Sequence, residues 1–461
     1  MEIKEALTFD DVLLVPKVSK AYSRRSVDTS TNITDSLKIN IPILSSNMDT
    51  VTEAPMAIAM AKAGAVGVIH RFNTIEGEVN EITKVKREQN IVIEHPYIVK
   101  KDYTLSELKS LSLEKGVSGF PVVDGTRLIG IVTRRDYEFE TEPSKKVSEM
   151  MTRDVISAPK NVSMESAKTI MKREKIEKLP LVDKNNILVG MITARDIKLA
   201  EGYSNASKDK KGRLMVGASI GIGSDYMERA RKLVDAEADF IVVDVANGYL
   251  EKVADVVKSL KKNFKIDVIA GNVATREGVE HLKKAGSDAI KVGIGPGGAC
   301  LTRPVAGVGY PQLAAIIDCA KSGISIIADG GITKSADFAK AMAGGASAAM
   351  VGGLFAGTDE SPGAIVTKEN QNYKFYRGMA SINAYSDRAI KEEETVDLEG
   401  YTPEGTEKLI PYKGSVVKIV NNMVGGLRSA MTYLNSENLK DFRRNASFVR
   451  LTESGKKESK Y

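Results

Sequence analysis

Apolar and polar positions fall in alternating blocks along the chain. Nearly uninterrupted apolar runs rich in β-branched residues stand at IPILSS (41–46), AVGVIH (65–70), RLMVGAS (213–219), FIVVD (240–244), DVIAG (267–271), DAIKVG (288–293), SIIAD (325–329) and SAAMVG (347–352). Runs that are apolar on both faces predict strands covered on both sides, as in a parallel sheet. The stretches between them, such as YMERARKLVDAEA (226–238) and REGVEHLKKAG (276–286), carry apolar residues at helical spacing. Eight strand–helix units predict an α/β fold, a closed (β/α)8 barrel, in preference to a doubly wound open sheet.

Between the second and third units the pattern changes to a repeat. GFPVVDGTRLIGIVTRRDYEF (119–139) is echoed by KLPLVDKNNILVGMITARDIKL (178–199). Pro121 matches Pro180, Asp124 matches Asp183, Gly130 matches Gly190, Thr133 matches Thr193 and Asp136 matches Asp196. Each copy reads strand, tight turn, strand, then a helix opened by Thr-x-x-Asp, and each follows an amphipathic helical stretch. The chain therefore divides into a first part of the barrel (1–91), an inserted repeat pair (92–203) and a second part (204–461). A Thr/Asp pair at a helix start caps the helix in the ordinary case.

The barrel reading places the chemistry. Active sites in this architecture form where strands end at their C-terminal edge. There the sequence carries Ser46-Asn47-Met48-Asp49, Asp244, Gly271-Asn272, Asp329-Gly330-Gly331 and Gly352-Gly353, and strand six runs into KVGIGPGGACLTR (291–303). Paired glycines after the seventh and eighth strands predict a phosphate held by backbone N–H groups. Cys300, one of two cysteines, ends a glycine-rich loop, which predicts a thiolate nucleophile acting on a ligand held largely by backbone. Cys319 lies in the helical run QLAAIIDCAKSG and is expected in the core; His70 is assigned no catalytic role.

Composition narrows the class further. Lysine and arginine number 66 against 60 acidic residues, spread along the chain for a formal charge of +6, which gives no basic patch for nucleic acid. No apolar run reaches the roughly 18 residues a membrane span needs. The start MEIKEALTFDD has no apolar signal segment, and two cysteines make no disulfide framework, so a reducing cytoplasm is expected.

LTFDDVLLVP (7–16), NMDTVTEA (47–54), AGNVAT (270–275), KVGIGPGGACLTR, IIADGGI (326–332), AGTDESPG (356–363) and YRGMAS (376–381) resemble the IMP dehydrogenase/GMP reductase family over nearly the whole chain. The inserted repeat resembles a tandem CBS (Bateman) pair within that TIM barrel. The resemblance implies that Cys300 attacks C2 of a purine nucleotide, GMP or IMP. Ser46 and Met48 would face the base, with Gly378 and Met379 along it. Asp329, Gly331, Gly352, Gly353 and Tyr376 would hold ribose and phosphate, and Asp244 and Asn272 would flank the nicotinamide. Backbone carbonyls of Gly295, Gly297 and Cys300 would take a monovalent cation, K+. Gly298 stands where the family usually has serine. Thr133, Asp136, Thr193 and Asp196 would bind adenine or guanine nucleotide effectors, and a homotetramer, or an octamer formed through the CBS pairs, is implied.

The two branches of the family share the covalent intermediate and differ in what is expelled. Thr302 and Glu404 match a pair that relays a proton to leaving ammonia or from attacking water. In the dehydrogenase branch a mobile flap, here about 380–412, adds an arginine–tyrosine pair that activates the water. Arg388 is in register with that arginine, and Ala389 replaces the tyrosine. VVDVANGY (242–249), GVGYPQLAAIIDCA and GGLRSAMTY look more like GMP reductases, whereas the CBS insertion, LTFDDVLLVP and AGTDESPG are commoner in dehydrogenases. The reading favoured is NADPH-dependent reduction of GMP to IMP and ammonia. The alternative is NAD-dependent oxidation of IMP to XMP, and a third is a nucleotide sensor without catalysis.

Overall fold

The computed structural model describes residues 3–88, 92–201, 205–391 and 400–458, with no side chains described for 199–201 and 388–391. The chain forms two compact units, Met1–Glu88 together with Asn205–Tyr461, and Gln89–Ser204. No helix among the described residues is long and apolar enough to cross a membrane.

The first unit is a closed parallel barrel of eight strands. In chain order they are β1 (Ile43–Ser45), β2 (Val66–Ile69), β3 (Val216–Ile220), β4 (Phe240–Asp244), β5 (Asp267–Val273), β6 (Ala289–Val292), β7 (Ser325–Asp329) and β8 (Ala348–Val351). The first seven are followed by helices α1 (Ala54–Ala63), α2 (Ile75–Arg87), α3 (Tyr226–Asp235), α4 (Glu251–Asn263), α5 (Arg276–Lys284), α6 (Gln312–Ala320) and α7 (Ser335–Ala343). A later helix, α8 (Ile382–Lys391), belongs to the loop region after β8. The ring is closed by α9 (Val416–Tyr433), which packs against both α7 and α1. The strands are buried along most of their length because each alternates between the barrel interior and the helical layer. Leu44, Val68, Phe240, Val242, Ile269, Ile327 and Met350 fill the interior, and Ile33 and Ile39 plug its floor.

One expected strand starts later than its apolar pattern suggested. RLMVGAS opens at Arg213, but β3 begins at Val216. Arg213 is held outside the barrel by Asp209, at 2.9 Å, and by Glu237. An ion-paired arginine competes with strand entry here.

After β8 come three antiparallel strands, β9 (Val366–Lys368), β10 (Gln371–Arg377) and β11 (Glu407–Pro411). They overhang the C-terminal rim of the barrel. Arg377 fastens this hairpin to the loop after β1 through Asp49, with Nε to Oδ2 at 2.9 Å.

In the second unit the sequence repeat is a structural one. Val99–Lys100, Leu105–Lys115, Gly119–Asp124, Arg127–Thr133 and Arg134–Tyr137 recur as Ala158–Pro159, Met164–Glu174, Lys178–Val182, Leu188–Thr193 and Ala194–Glu201. Both hairpins carry a register shift at the same place, Val122/Val123 and Leu181/Val182. Thr133 Oγ1 lies 2.9 Å from Asp136 Oδ2, and Thr193 Oγ1 lies 2.5 Å from Asp196 Oδ2. Asp136 Oδ2 also accepts from Thr133 N–H at 2.7 Å, and Thr193 Oγ1 accepts from Asp196 N–H at 3.2 Å, so in this structure each Thr/Asp pair caps the start of its own helix.

Candidate active site

The glycine-rich loop after β6 is folded back onto the rim by the chain ahead of β11. Leu301 donates its N–H to Glu404 O at 2.6 Å, Thr406 N–H donates to Ala299 O at 3.0 Å, and Cys300 bridges Gly405. Gly378 lies against both: a Cβ there would sit 2.7 Å from Ala299 O and 3.1 Å from Gly405 Cα. Three backbones interlock with room for a hydrogen only, which requires glycine. This junction brings Glu404 to the thiol. Cys300 Sγ is 3.2 Å from Thr302 Oγ1, and Thr302 Oγ1 is 2.6 Å from Glu404 Oε2. The carboxylate accepts from the threonine hydroxyl, so that hydroxyl offers its lone pairs to the sulfur. The three groups form a proton path between the thiol and Glu404.

Beneath the thiol lies a buried charge cluster. Lys291, in the middle of β6 and 2% exposed, places Nζ 2.6 Å from Asp244 Oδ1 and 2.9 Å from Asp329 Oδ2. Asn47 Nδ2 donates to the second oxygen of Asp244 at 2.9 Å. Asn272 Nδ2 donates to Asp329 at 2.9 Å and to Gly293 O at 2.8 Å. Burial by itself would push the Lys291 ammonium down, but the two carboxylates outweigh it and hold the group above the usual lysine range. Burial acts on Asp244 in the opposite sense, and Lys291 outweighs it, so Asp244 stays below the usual carboxylate range. The ends of β4, β6 and β7 are thus locked together by charge.

The cavity above this floor has a volume of about 1070 Å³. Ser46, Met48, Asp244, Asn272, Gly295, Gly297, Cys300, Thr302, Asp329, Tyr376, Gly378, Met379 and Glu404 all line it. Gly331, Gly352 and Gly353 stand just outside. A Cβ on Gly352 or Gly353 would lie 3.7 Å from the Tyr376 hydroxyl, and one on Gly331 would lie 3.3 Å from Pro296 Cβ. Burial, together with Asp329 and Cys300, pushes the Tyr376 phenol up to about 12, so it acts as a neutral donor. The cavity continues past Asp244 and Asn272 to Arg71 and Gly221–Asp225. Ligand pockets commonly measure about 300–1,000 Å³. The residues present therefore leave space for a mononucleotide and a second ligand beside it.

The Gly297 carbonyl accepts from Cys300 N–H at 3.0 Å, closing a turn, while Gly295 holds φ +88°. Among the described residues no cluster of three His, Cys, Asp or Glu is placed to hold a metal ion. Arg388 and Ala389 fall within α8, and their side chains lie outside the described residues. Cys319 is fully buried, and burial pushes its thiol up to about 12. His70 is buried, and its Nδ1 accepts from Phe72 N–H at 3.1 Å.

A family model described as IMP dehydrogenase / GMP reductase domain matches residues 6–461. The chain belongs to this family. It is an oxidoreductase of purine nucleotides, a class that uses a nicotinamide nucleotide. An inosine-5'-monophosphate dehydrogenase from Nitrosopumilus maritimus is 46% identical over 100% of this chain and 98% of its own length. One from Aquifex aeolicus is 47% identical over 99% and 95%. Among solved structures, a GMP reductase from Trypanosoma brucei in complex with guanosine 5'-monophosphate superposes with a TM-score of 0.89 at 39% identity, covering 100% of this chain and 98% of that one. The names of the sequence relatives favour the dehydrogenase, which the residue motifs placed second.

Sequence reasoning passed over three parts of this family site. Lys291 was hidden inside an apolar run, although a lysine in the middle of a buried strand is itself a signal, because such a charge needs partners. Asn47 was legible at the catalytic end of the first strand, but its bond to Asp244 was not. The stacked rings of Tyr385 and Tyr401, with centroids 4.1 Å apart, left no pattern in the sequence.

Proposed function

We propose that this chain catalyses the reductive deamination of GMP to IMP and ammonia with NADPH, through a covalent bond from Cys300 to C2 of the purine. The observation that carries the direction is the alanine that follows Arg388 where the dehydrogenase branch has tyrosine; the Cys300–Thr302–Glu404 proton path, at 3.2 and 2.6 Å, supports the covalent chemistry in either direction.

The path accounts for the protons. The Cys300 thiol gives its proton through Thr302 to Glu404, and the thiolate adds to C2. Glu404 then returns that proton through Thr302 to the departing amino group. Ammonia leaves, the ring C=N bond re-forms, and a thioimidate remains. GMP plus thiol has become thioimidate plus ammonia, with no proton unaccounted for. A nicotinamide cofactor, held beside Asp244 and Asn272, supplies hydride to C2 when bound. The purine then expels Cys300 as thiolate, which solvent reprotonates. Ser46 and Met48 would face the base, Asp329 the ribose, and Gly331, Gly352, Gly353 and Tyr376 the phosphate. Gly295, Gly297 and Cys300 carbonyls would take K+.

A second reading, oxidation of IMP to XMP with NAD, is favoured by the names of the sequence relatives at 46 and 47% identity. It uses the same sulfur and runs the proton path from attacking water. Purified protein separates the two. NADPH fluorescence lost with GMP, with ammonia released, supports the reductase; NADH formed from IMP, with no loss of NADPH on GMP, overturns it. Nucleotide binding without either reaction would point to a sensor.

Thr302→Val tests the path itself. General acid–base groups contribute roughly 10²- to 10⁴-fold, so ammonia release should slow by about a hundredfold or more. GMP affinity, measured by calorimetry, should hold. Ammonia release at the wild-type rate would remove Thr302 from the path.

The inserted unit is proposed to be a tandem CBS pair that takes adenine or guanine nucleotides at Thr133, Asp136, Thr193 and Asp196. Its support is the repeat itself, and a Trypanosoma brucei GMP reductase solved in complex with guanosine 5'-triphosphate, 36% identical over 98% of this chain. A homotetramer, or an octamer paired through these units, and a cytoplasmic setting belong to the same proposal.

A further inference from the structure

Beside the cavity, outside its lining and next to the loop of Cys300, stands a cation that the reading above leaves without a role. In the β10–β11 ladder, Lys408 is directly opposite Tyr376. Directly opposed residues share a face of the sheet. Tyr376 turns its hydroxyl toward the Gly352–Gly353 turn, and Lys408 extends along the same face toward the loop of Cys300. Its ammonium lies 5.9 Å from the Tyr376 ring centroid and donates to Gly298 O at 3.1 Å. Among the described residues it forms no ion pair. Gly298 presents no side chain, and a Cβ built there would meet nothing within 4 Å. The space in front of Gly298 is therefore open and faced by a positive charge.

Another ammonium near that space is already engaged. The turn after β8 has its outward carbonyls occupied by a different lysine. Lys413 Nζ donates to Gly353 O at 2.7 Å and to Leu354 O at 3.1 Å. The Gly330 turn approaches from the other side; a Cβ there would lie 3.1 Å from Gly297 N. Glycine turns offer N–H dipoles but no full charge, while a phosphomonoester is close to a dianion at neutral pH.

We propose that Lys408 is the counter-ion of the substrate's 5'-phosphate and sets the preference of this site for nucleotide over nucleoside. The inference rests on the purine-nucleotide reading above. The ammonium needs only to leave the Gly298 carbonyl for a phosphate oxygen in the adjoining space. The Tyr376 ring below it limits where the side chain can go, through a cation–π contact.

The test is calorimetric binding of GMP and of guanosine to the full chain, for wild type, Lys408→Met and Lys408→Arg. Lys408→Met should weaken GMP about tenfold, equivalent to about 1.4 kcal/mol, and reduce the ratio of GMP to guanosine affinity by the same factor. In turnover the loss should fall on KM for GMP rather than on kcat. Lys408→Arg keeps the charge and should restore most of the affinity. Added salt should weaken GMP binding more in wild type than in Lys408→Met. Wild-type GMP affinity in Lys408→Met, with wild type itself binding GMP well, overturns the role of Lys408 and leaves the purine reading standing. Failure of wild type to bind either GMP or IMP removes both.

Discussion

Replacing Cys300 with alanine should lower turnover by at least about four orders of magnitude, the scale seen when a covalent nucleophile is removed. GMP should still bind. The sulfur touches only Thr302 among the groups described at hydrogen-bond distance, and the cavity that surrounds it is lined mostly by other segments of the barrel rim. Alanine removes one atom and leaves that scaffold in place. Two measurements check this. Calorimetry should give a GMP affinity close to that of wild type. Mass spectrometry of wild type quenched during turnover should find a purine-sized increment on the peptide that contains Cys300, and none in the variant. Turnover above about one per cent of wild type would mean that another group performs the attack.

Lys291→Met should be the most destabilising single change at the site. It removes the one cation between Asp244 and Asp329, which lie 2.6 and 2.9 Å from its nitrogen. Breaking a buried ion pair from one side costs about 3–5 kcal/mol, because the remaining charge stays buried and unpaired. The pH dependence follows from the direction of the shifts. In wild type Asp244 is held below the usual carboxylate value, so its contribution to stability is present above the unfolded value and is lost as pH falls through the folded one. In the variant, burial acts without Lys291 and the folded value rises above the unfolded one. That variant then loses stability as pH climbs out of the ordinary carboxylate range of about 4. The gap between the two proteins should be widest near neutral pH and should narrow toward about pH 4. Thermal unfolding across that range measures it; a gap that stays constant with pH would show that the loss comes from packing and not from charge. Activity should fall as well, since Asp244 and Asp329 both line the cavity.

The loop after β6 shows how a legible motif and an illegible geometry combine. Its glycines and Cys300 announced a nucleophile on a backbone cradle, and the end of each strand carried the residue types a site needs. The identity of the barrel was equally plain, because strands buried on both faces must be apolar throughout and helices covering them must be apolar on one side only. The repeat in the inserted unit was visible residue for residue, and it survives as two hairpins with the same register shift. The onset of β3 was not legible, because Arg213 is drawn aside by Asp209 and Glu237, partners that no local pattern announces.

Local sequence by itself determined the eight strand–helix units, the inserted repeat and the thiol at the end of its glycine loop, since periodicity and backbone freedom act over a few residues. Only the tertiary structure decided that Lys291 would bind Asp244 to Asp329, that Gly378, Ala299 and Gly405 would interlock to bring Glu404 to the sulfur, and that Lys408 would stand over Tyr376 beside Gly298. Those contacts join segments far apart in the chain. Charge pairing and close backbone approach depend on distances in space, and the barrel sets these distances only when it closes.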